Sequence, residues 1–280
     1  MEDDKSHAIS DVDDNPVNRD KYLSITDKTD MSFLEHLEDL RGTLIRCLVT
    51  LFIACFFVMG FLKYFASLLN WPLQIALDEN VEEGLITTSP MAVFSVILQV
   101  SFLGGFAVSL PFILYFVARF VAPGLTKKEL SVLKPGCFLA FILFVIGALF
   151  SYFVLVPASL KASIFFNHLF GFEVFWTADR YYGLLTWMVM GIGFSFEFPL
   201  IVVVLVYIGV INSTQLQSFR PYSIIIFLIL AAVITPTTDP FTFLLLAVPM
   251  LFLYEISLLV SKRVEGKRFA ETENNEKGIA

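Results

Sequence analysis

Five stretches of this chain each run at least twenty residues with no more than one charged side chain: Thr43–Leu62, Met91–Ala118, Gly136–Val156, Tyr182–Gly209 and Phe241–Val260. A helix rises about 1.5 Å per residue and needs about 20 apolar residues to cross ~30 Å of hydrocarbon. Each stretch is therefore long enough to span a membrane. A sixth run, Tyr222–Thr235, has fourteen residues and is bracketed by Pro221 and Pro236. As a helix it reaches only about 21 Å. The pattern predicts an all-α polytopic membrane protein with six transmembrane helices, the fifth of them short. Composition excludes the alternatives: with 57% hydrophobic and 16% charged residues and 31 phenylalanines, too little polar surface remains to cover a water-soluble globule. A disordered, coiled-coil, collagen-like or disulfide-stapled chain is ruled out on the same ground.

Basic residues near span ends set orientation. With the N-terminus cytoplasmic, sixteen of the nineteen Lys and Arg fall on the cytoplasmic side, and only Lys63, Lys161 and Arg180 on the other. Both termini are expected in the cytoplasm of a plasma (inner) membrane, and the lack of a transit peptide points to a bacterial one. The net charge of −7 is mostly a local effect, because residues 1–30 hold nine acidic side chains against four basic ones. That tail has no apolar signal core and is expected to be disordered. The expected domains are thus the acidic tail 1–30, a six-helix membrane domain 31–262, and a charged cytoplasmic tail 263–280. Both long outer connections, 63–90 and 157–181, mix aromatic with polar residues, which suits short helices lying on the membrane. Cys47, Cys55 and Cys137 sit inside apolar runs with no metal-binding spacing and read as small hydrophobes.

No P-loop, HExxH or GxSxG occurs, and the three histidines have no nucleophile or ligand partner in their own elements. The sequence therefore contains no catalytic constellation. What remains is a small set of carboxylates. In Ser32-Phe33-Leu34-Glu35-His36-Leu37-Glu38-Asp39-Leu40-Arg41, apolar residues at helical spacing form a lead-in to the first span. Ser32 and Glu35 have capping-box spacing, while Glu38 and Asp39 face the polar side, either as a solvated face pairing with Arg41 or Arg46 or as a binding surface. Thr126 and Glu129 also have capping-box spacing, which makes Glu129 an ordinary helix start or an exposed acid of the first inner loop. Glu197 lies inside the fourth run, in Phe194-Ser-Phe-Glu-Phe-Pro199. A carboxylate at mid-membrane costs about 2.5–3.5 kcal/mol on insertion scales, so Glu197 should face protein or a water-filled groove. Pro199 should kink that helix, and Gly191 with Ser195 should let another helix approach. Glu255, in the sixth run, reads as an interface residue within reach of the inner boundary and of Lys262.

Several motifs in order give these residues a family. FLEHLEDLR (33–41), SPMAVF (89–94), RFVAPGLTKKE (119–129), FSFEFP (194–199), RPY (220–222), ITPTTDP (234–240) and AVPMLFLYEI (247–256) make the chain resemble TatC, the multi-span family of the twin-arginine protein translocase. The resemblance covers about residues 31–262. It implies a receptor for twin-arginine signal peptides of folded precursors, working with TatA/TatB-type single-span membrane proteins and further copies of itself in the lipid bilayer. It implies no enzyme activity, no cofactor or metal and no nucleic acid. The signal-peptide surface falls on Asp39, where the family usually has glutamate, with Glu38 and Arg41 beside it and Phe120 and Glu129 in the first inner loop. Glu197 matches the helix-four position where the family meets its single-span partners, and Glu255 is placed with it. Asp239 matches the acid of the last outer turn.

The chemistry suits that role. A guanidinium is a planar fork that pairs bidentately with a carboxylate, so two arginines call for two acids on one surface. Exposed pairs are worth only about 0.2–1 kcal/mol each, so the apolar segment of a signal peptide, at about 0.8 kcal/mol per buried CH₂, must supply much of the affinity. The alternative reading is a secondary transporter with an intramembrane acidic site at Glu197, since such proteins also use Pro-interrupted helices and mid-membrane acids. Against it, the two halves of the chain show no internal repeat.

Overall fold

The computed structural model describes residues 33–77, 85–125, 127–235 and 240–277 and, within these, all side chains but those of 33–34, 127–129 and 267–277. The acidic tail expected over 1–30, Ser32 and Thr126 of the two expected capping boxes, and Asp239 lie outside the described residues. The described residues are helical almost throughout: α1 (Phe33–Gly60), α2 (Leu62–Leu69), α3 (Trp71–Ala76), α4 (Pro90–Val121), α5 (Lys127–Phe150), α6 (Val156–Leu169), α7 (Ala178–Ser195), α8 (Phe198–Ile208), α9 (Ser213–Ser218), α10 (Arg220–Ile234) and α11 (Pro240–Lys277). They fall into two compact units, one ending at Ile45 and the other starting at Arg46.

Five continuous helical runs are long and apolar enough to cross a bilayer: Glu35–Gly60, Pro90–Gly124, Leu130–Leu169, Ala178–Ile208 and Pro240–Gly266. Arg220–Ile234 is a shorter apolar helix. Many of their side chains point outward, among them Phe52, Ile53 and Phe56, which are 63–67% exposed. Apolar surface on this scale is incompatible with water as the surrounding solvent. The buried core of the larger unit forms where α4, α7 and the residues around Leu155 meet; Leu155, Leu185, Met188 and Ile192 have no exposed surface.

Proline explains most departures from simple spans. The third run is forty residues long, well beyond the expected Gly136–Val156, because Pro157 bends the helix without ending it. It has no N–H for the carbonyl four residues back and its ring would clash there. The turn before it, Ser151–Leu155, widens into a π-helix in which the Val156 N–H reaches Ser151 O, and α6 continues from there. The fourth run is interrupted only by a two-residue turn at Phe196–Glu197, where the backbone stays in the right-handed helical region, with Pro199 in the first turn of α8. α8 ends at Gly209, whose φ of 87° lets its N–H and that of Val210 return to Leu205 O at 3.2 and 3.0 Å. A side chain would strain that left-handed cap.

The two long connections are tied into the protein. α2 and α3 are short helices, as expected, but Leu69 and Leu73 are buried and the last carbonyls of α2 are taken by tyrosines. Tyr152 donates to Leu68 O at 2.5 Å, Tyr181 to Leu69 O at 2.6 Å and Tyr182 to Asn70 Oδ1 at 2.8 Å. The first two hydroxyls satisfy carbonyls that any helix leaves open at its C-terminus, and the third holds the side chain of Asn70, the residue that follows α2. An isolated bridge then joins the two connections: Ile86 N–H reaches Trp176 O at 3.1 Å and Ala178 N–H reaches Ile86 O at 2.9 Å.

Candidate functional site

The sequence-predicted residues fall at four places. In the first unit, Glu38, Asp39 and Arg41 are all exposed on α1. Successive helical residues are about 100° apart around the axis, so Glu38 and Asp39 offer carboxylates to neighbouring sectors. Among the described residues neither is paired with Arg41, which leaves both acids in solvent.

In the second unit, α4 ends through Arg119, which is exposed, and Phe120, which is half-buried, into a 3₁₀ turn at Ala122–Gly124. α5 then starts at Lys127, so Glu129 stands in its first turn. Acidic residues are favoured there by the positive end of the helix dipole, which agrees with its reading as a helix start. Asp39 and Glu129 belong to different units.

Glu197 occupies the break between α7 and α8. Its N–H bonds Phe194 O at 3.1 Å, its carbonyl takes the Ile201 N–H at 3.1 Å, and Pro199 supplies no donor to the carbonyl of Ser195. At the expected kink the helical bonding tightens to a single turn between α7 and α8. The side chain is half-buried. Of the small residues before it, Gly191 is approached by Ile234 of α10, 3.3 Å from where a methyl would stand, while Ser195 Oγ donates within its own helix to Gly191 O at 2.7 Å.

Glu255 on α11 forms an ion pair with Arg220, the first residue of α10, both side chains being about half exposed. The sequence placed Glu255 at an interface within reach of Lys262 and did not name Arg220 as its partner. Two further bonds hold the α9–α10 segment to α11. Tyr254 donates to Leu216 O at 2.9 Å, and Glu265 accepts the Ser213 N–H at 2.9 Å. The residues that sequence reasoning missed are therefore Arg220, the three tyrosines that cap α2, and two glycines beside Glu197, Gly147 and Gly193. The RPY motif was the one available signal for Arg220.

Comparison with known proteins places this arrangement. A sequence model described as Sec-independent protein translocase protein (TatC) matches residues 35–249. The protein of that name from Koribacter versatilis is 33% identical over 238 residues, 85% of this chain and 87% of the relative. The one from Aquifex aeolicus is 35% identical over 240 residues, 85% of this chain and 98% of the relative. A crystal structure of the twin-arginine translocase receptor TatC matches with a TM-score of 0.70 at 34% identity, covering 82% of this chain and 99% of that one.

Proposed function

The chain belongs to the TatC family of Sec-independent protein translocase proteins, and from that premise we propose how its residues divide the work of a translocase receptor. It is a multi-span helical membrane protein and a translocase subunit, not an enzyme. Six helices cross the plasma membrane, α10 being the short fifth, and both termini lie in the cytoplasm. The surplus of Lys and Arg on one side of the spans supports that orientation. The membrane domain runs over 31–262, between the acidic tail 1–30 and the charged tail 263–280.

Asp39 and Glu129 receive the two arginines of a signal peptide at the cytoplasmic face, with Glu38, Arg41 and Phe120 completing the surface. Carboxylates set the selectivity and the signal peptide's apolar segment adds most of the binding energy, because exposed pairs are weak. Glu197 meets a polar group of a TatA/TatB-type single-span subunit, and Glu255 lies at the edge of that contact. The observation that carries this reading is the unbroken family match over 35–249, which runs through Asp39, Phe120, Glu129 and Glu197 alike.

Photocrosslinkers at positions 39, 129 and 197, in membranes carrying a twin-arginine precursor, test it. Positions 39 and 129 should capture the precursor, and capture should vanish when its arginine pair becomes a lysine pair, which keeps charge but loses the fork. Position 197 should capture a single-span subunit. Precursor capture that ignores the arginine pair would overturn the assignment.

A further inference from the structure

A carboxylate in a helix break can point in many directions, and the packing around Glu197 limits which one it takes. Phe194 and Phe196 precede it on the chain, and both meet residues of α5. Phe196 is buried against Gly147, where an added Cβ would stand 2.8 Å from its Cγ and 3.1 Å from Ile192 O. In return Phe144 is buried against Gly193, where an added Cβ would stand 2.6 Å from Cε2 and 2.9 Å from Cζ. Each helix thus gives a phenylalanine and receives one, with ring and gap three residues apart on both. Phe144 also meets Phe194 edge to face at 5.5 Å and Phe106 at 5.5 Å, so its ring has little freedom to step aside.

We propose that Gly147 and Gly193 are positioning residues for Glu197: by admitting Phe196 and Phe144 they seat the helix break on α5 and aim the carboxylate at its partner. The inference rests on the reading of Glu197 given above. A methyl at 193 would push the Phe144 ring and shift the break. A methyl at 147 would meet both Phe196 and the backbone oxygen of Ile192, so the two helices would have to part. Interiors are packed too tightly to absorb either without movement. Gly136, on the same helix α5 with nothing within 4 Å of an added Cβ, is the natural control.

The test uses the full chain in membranes, with Cys47, Cys55 and Cys137 replaced by alanine and a cysteine placed at 197. Its reaction rate with a methanethiosulfonate reagent reads the direction of the break with no partner present. Gly193→Ala should change that rate severalfold, and Gly193→Ala with Phe144→Leu should restore it, since leucine lacks the ring atoms the methyl meets. Gly136→Ala should leave the rate alone. Should Gly147→Ala fail to accumulate, the compensated Gly193 pair still decides the matter. In the chain with Glu197 intact, Gly193→Ala should lower recovery of the single-span subunit, and should lower it no further in a Glu197→Ala background. An unchanged rate in Gly193→Ala, or no restoration by Phe144→Leu, overturns the positioning role. If the rates behave as expected but Glu197→Ala recovers as much partner as the unaltered chain, the positioning stands and the partner reading of Glu197 falls.

Discussion

In the receptor surface proposed above, Asp39 and Glu129 are the carboxylates that select a pair of arginines, and nothing buried depends on the exposed Asp39. Changes at exposed positions usually alter stability by less than about 0.5 kcal/mol. Asp39→Ala is therefore expected to abolish precursor crosslinking while the protein accumulates normally, and Asp39→Glu to be tolerated because it restores the family's residue; Glu129→Ala is expected to abolish crosslinking as well. Undiminished crosslinking in both alanine variants would remove the receptor assignment. Glu197 should behave in a graded way, since a hydrogen bond between membrane helices is worth about 0.6–2 kcal/mol. Glu197→Ala should keep precursor binding but lower recovery of the single-span subunit in pull-downs, with Glu197→Gln between it and the unaltered chain. Equal recovery from all three would return Glu197 to a structural role. At this scale the sequence was informative where chemistry is rare. An acid inside an apolar run stands out, and so does Pro199 two residues on. Gly147 and Gly193 were illegible, because a glycine in a membrane helix says nothing about which ring it admits.

The helical hairpin α10–α11 shows what was readable but unread. Arg220 lies fourteen residues before the end of α10 at Ile234, and Glu255 fifteen residues after the start of α11 at Pro240. Two antiparallel helices joined by a short turn must bring positions equally far from it to the same level, so the Arg220–Glu255 pair followed from counting outward. Lys262 was nearer to Glu255 in sequence but lies on the same helix, two turns away, where its ammonium cannot stack beneath the carboxylate. Reversing either charge alone, by Arg220→Glu or Glu255→Arg, should lower thermal stability in detergent by about 0.2–1 kcal/mol, the range for exposed pairs. The double exchange should recover most of it. Recovery by the double exchange no better than the sum of the single losses would mean that the two residues are not coupled in the membrane protein. The tyrosine caps on α2 were beyond any such counting. Tyr152, Tyr181 and Tyr182 act across 84 to 112 positions of sequence, and only tertiary structure says which carbonyls they meet.

For the molecule as a whole, apolar length carried most of the fold, and it failed where proline altered a helix without stopping it. The third run extends to forty residues through a π-turn, and the fourth carries a two-residue turn at Phe196–Glu197. A short apolar helix stands where the sequence placed the fifth span, and its crossing, proposed above, raises the question of what the membrane does there. α10 has fifteen residues, about 22 Å at 1.5 Å per residue, against ~30 Å of hydrocarbon. A helix that short cannot span by tilting, since tilt shortens its reach further. The remaining choices are thinner lipid around it or cover by its neighbours. Cover is incomplete, because Ile225, Ile229 and Val233 are 55–61% exposed on one face. Thinned lipid against that face is the expected outcome, and a thinner barrier would also ease the passage of polar chain. Single cysteines placed along 220–235, in a chain lacking its own, should react with water-soluble maleimide at both ends and be protected only in the middle. The protected stretch should be clearly shorter than the one found along Pro90–Gly124. Protection running the full length of α10 and into both flanking segments would show that the bilayer keeps its normal thickness there.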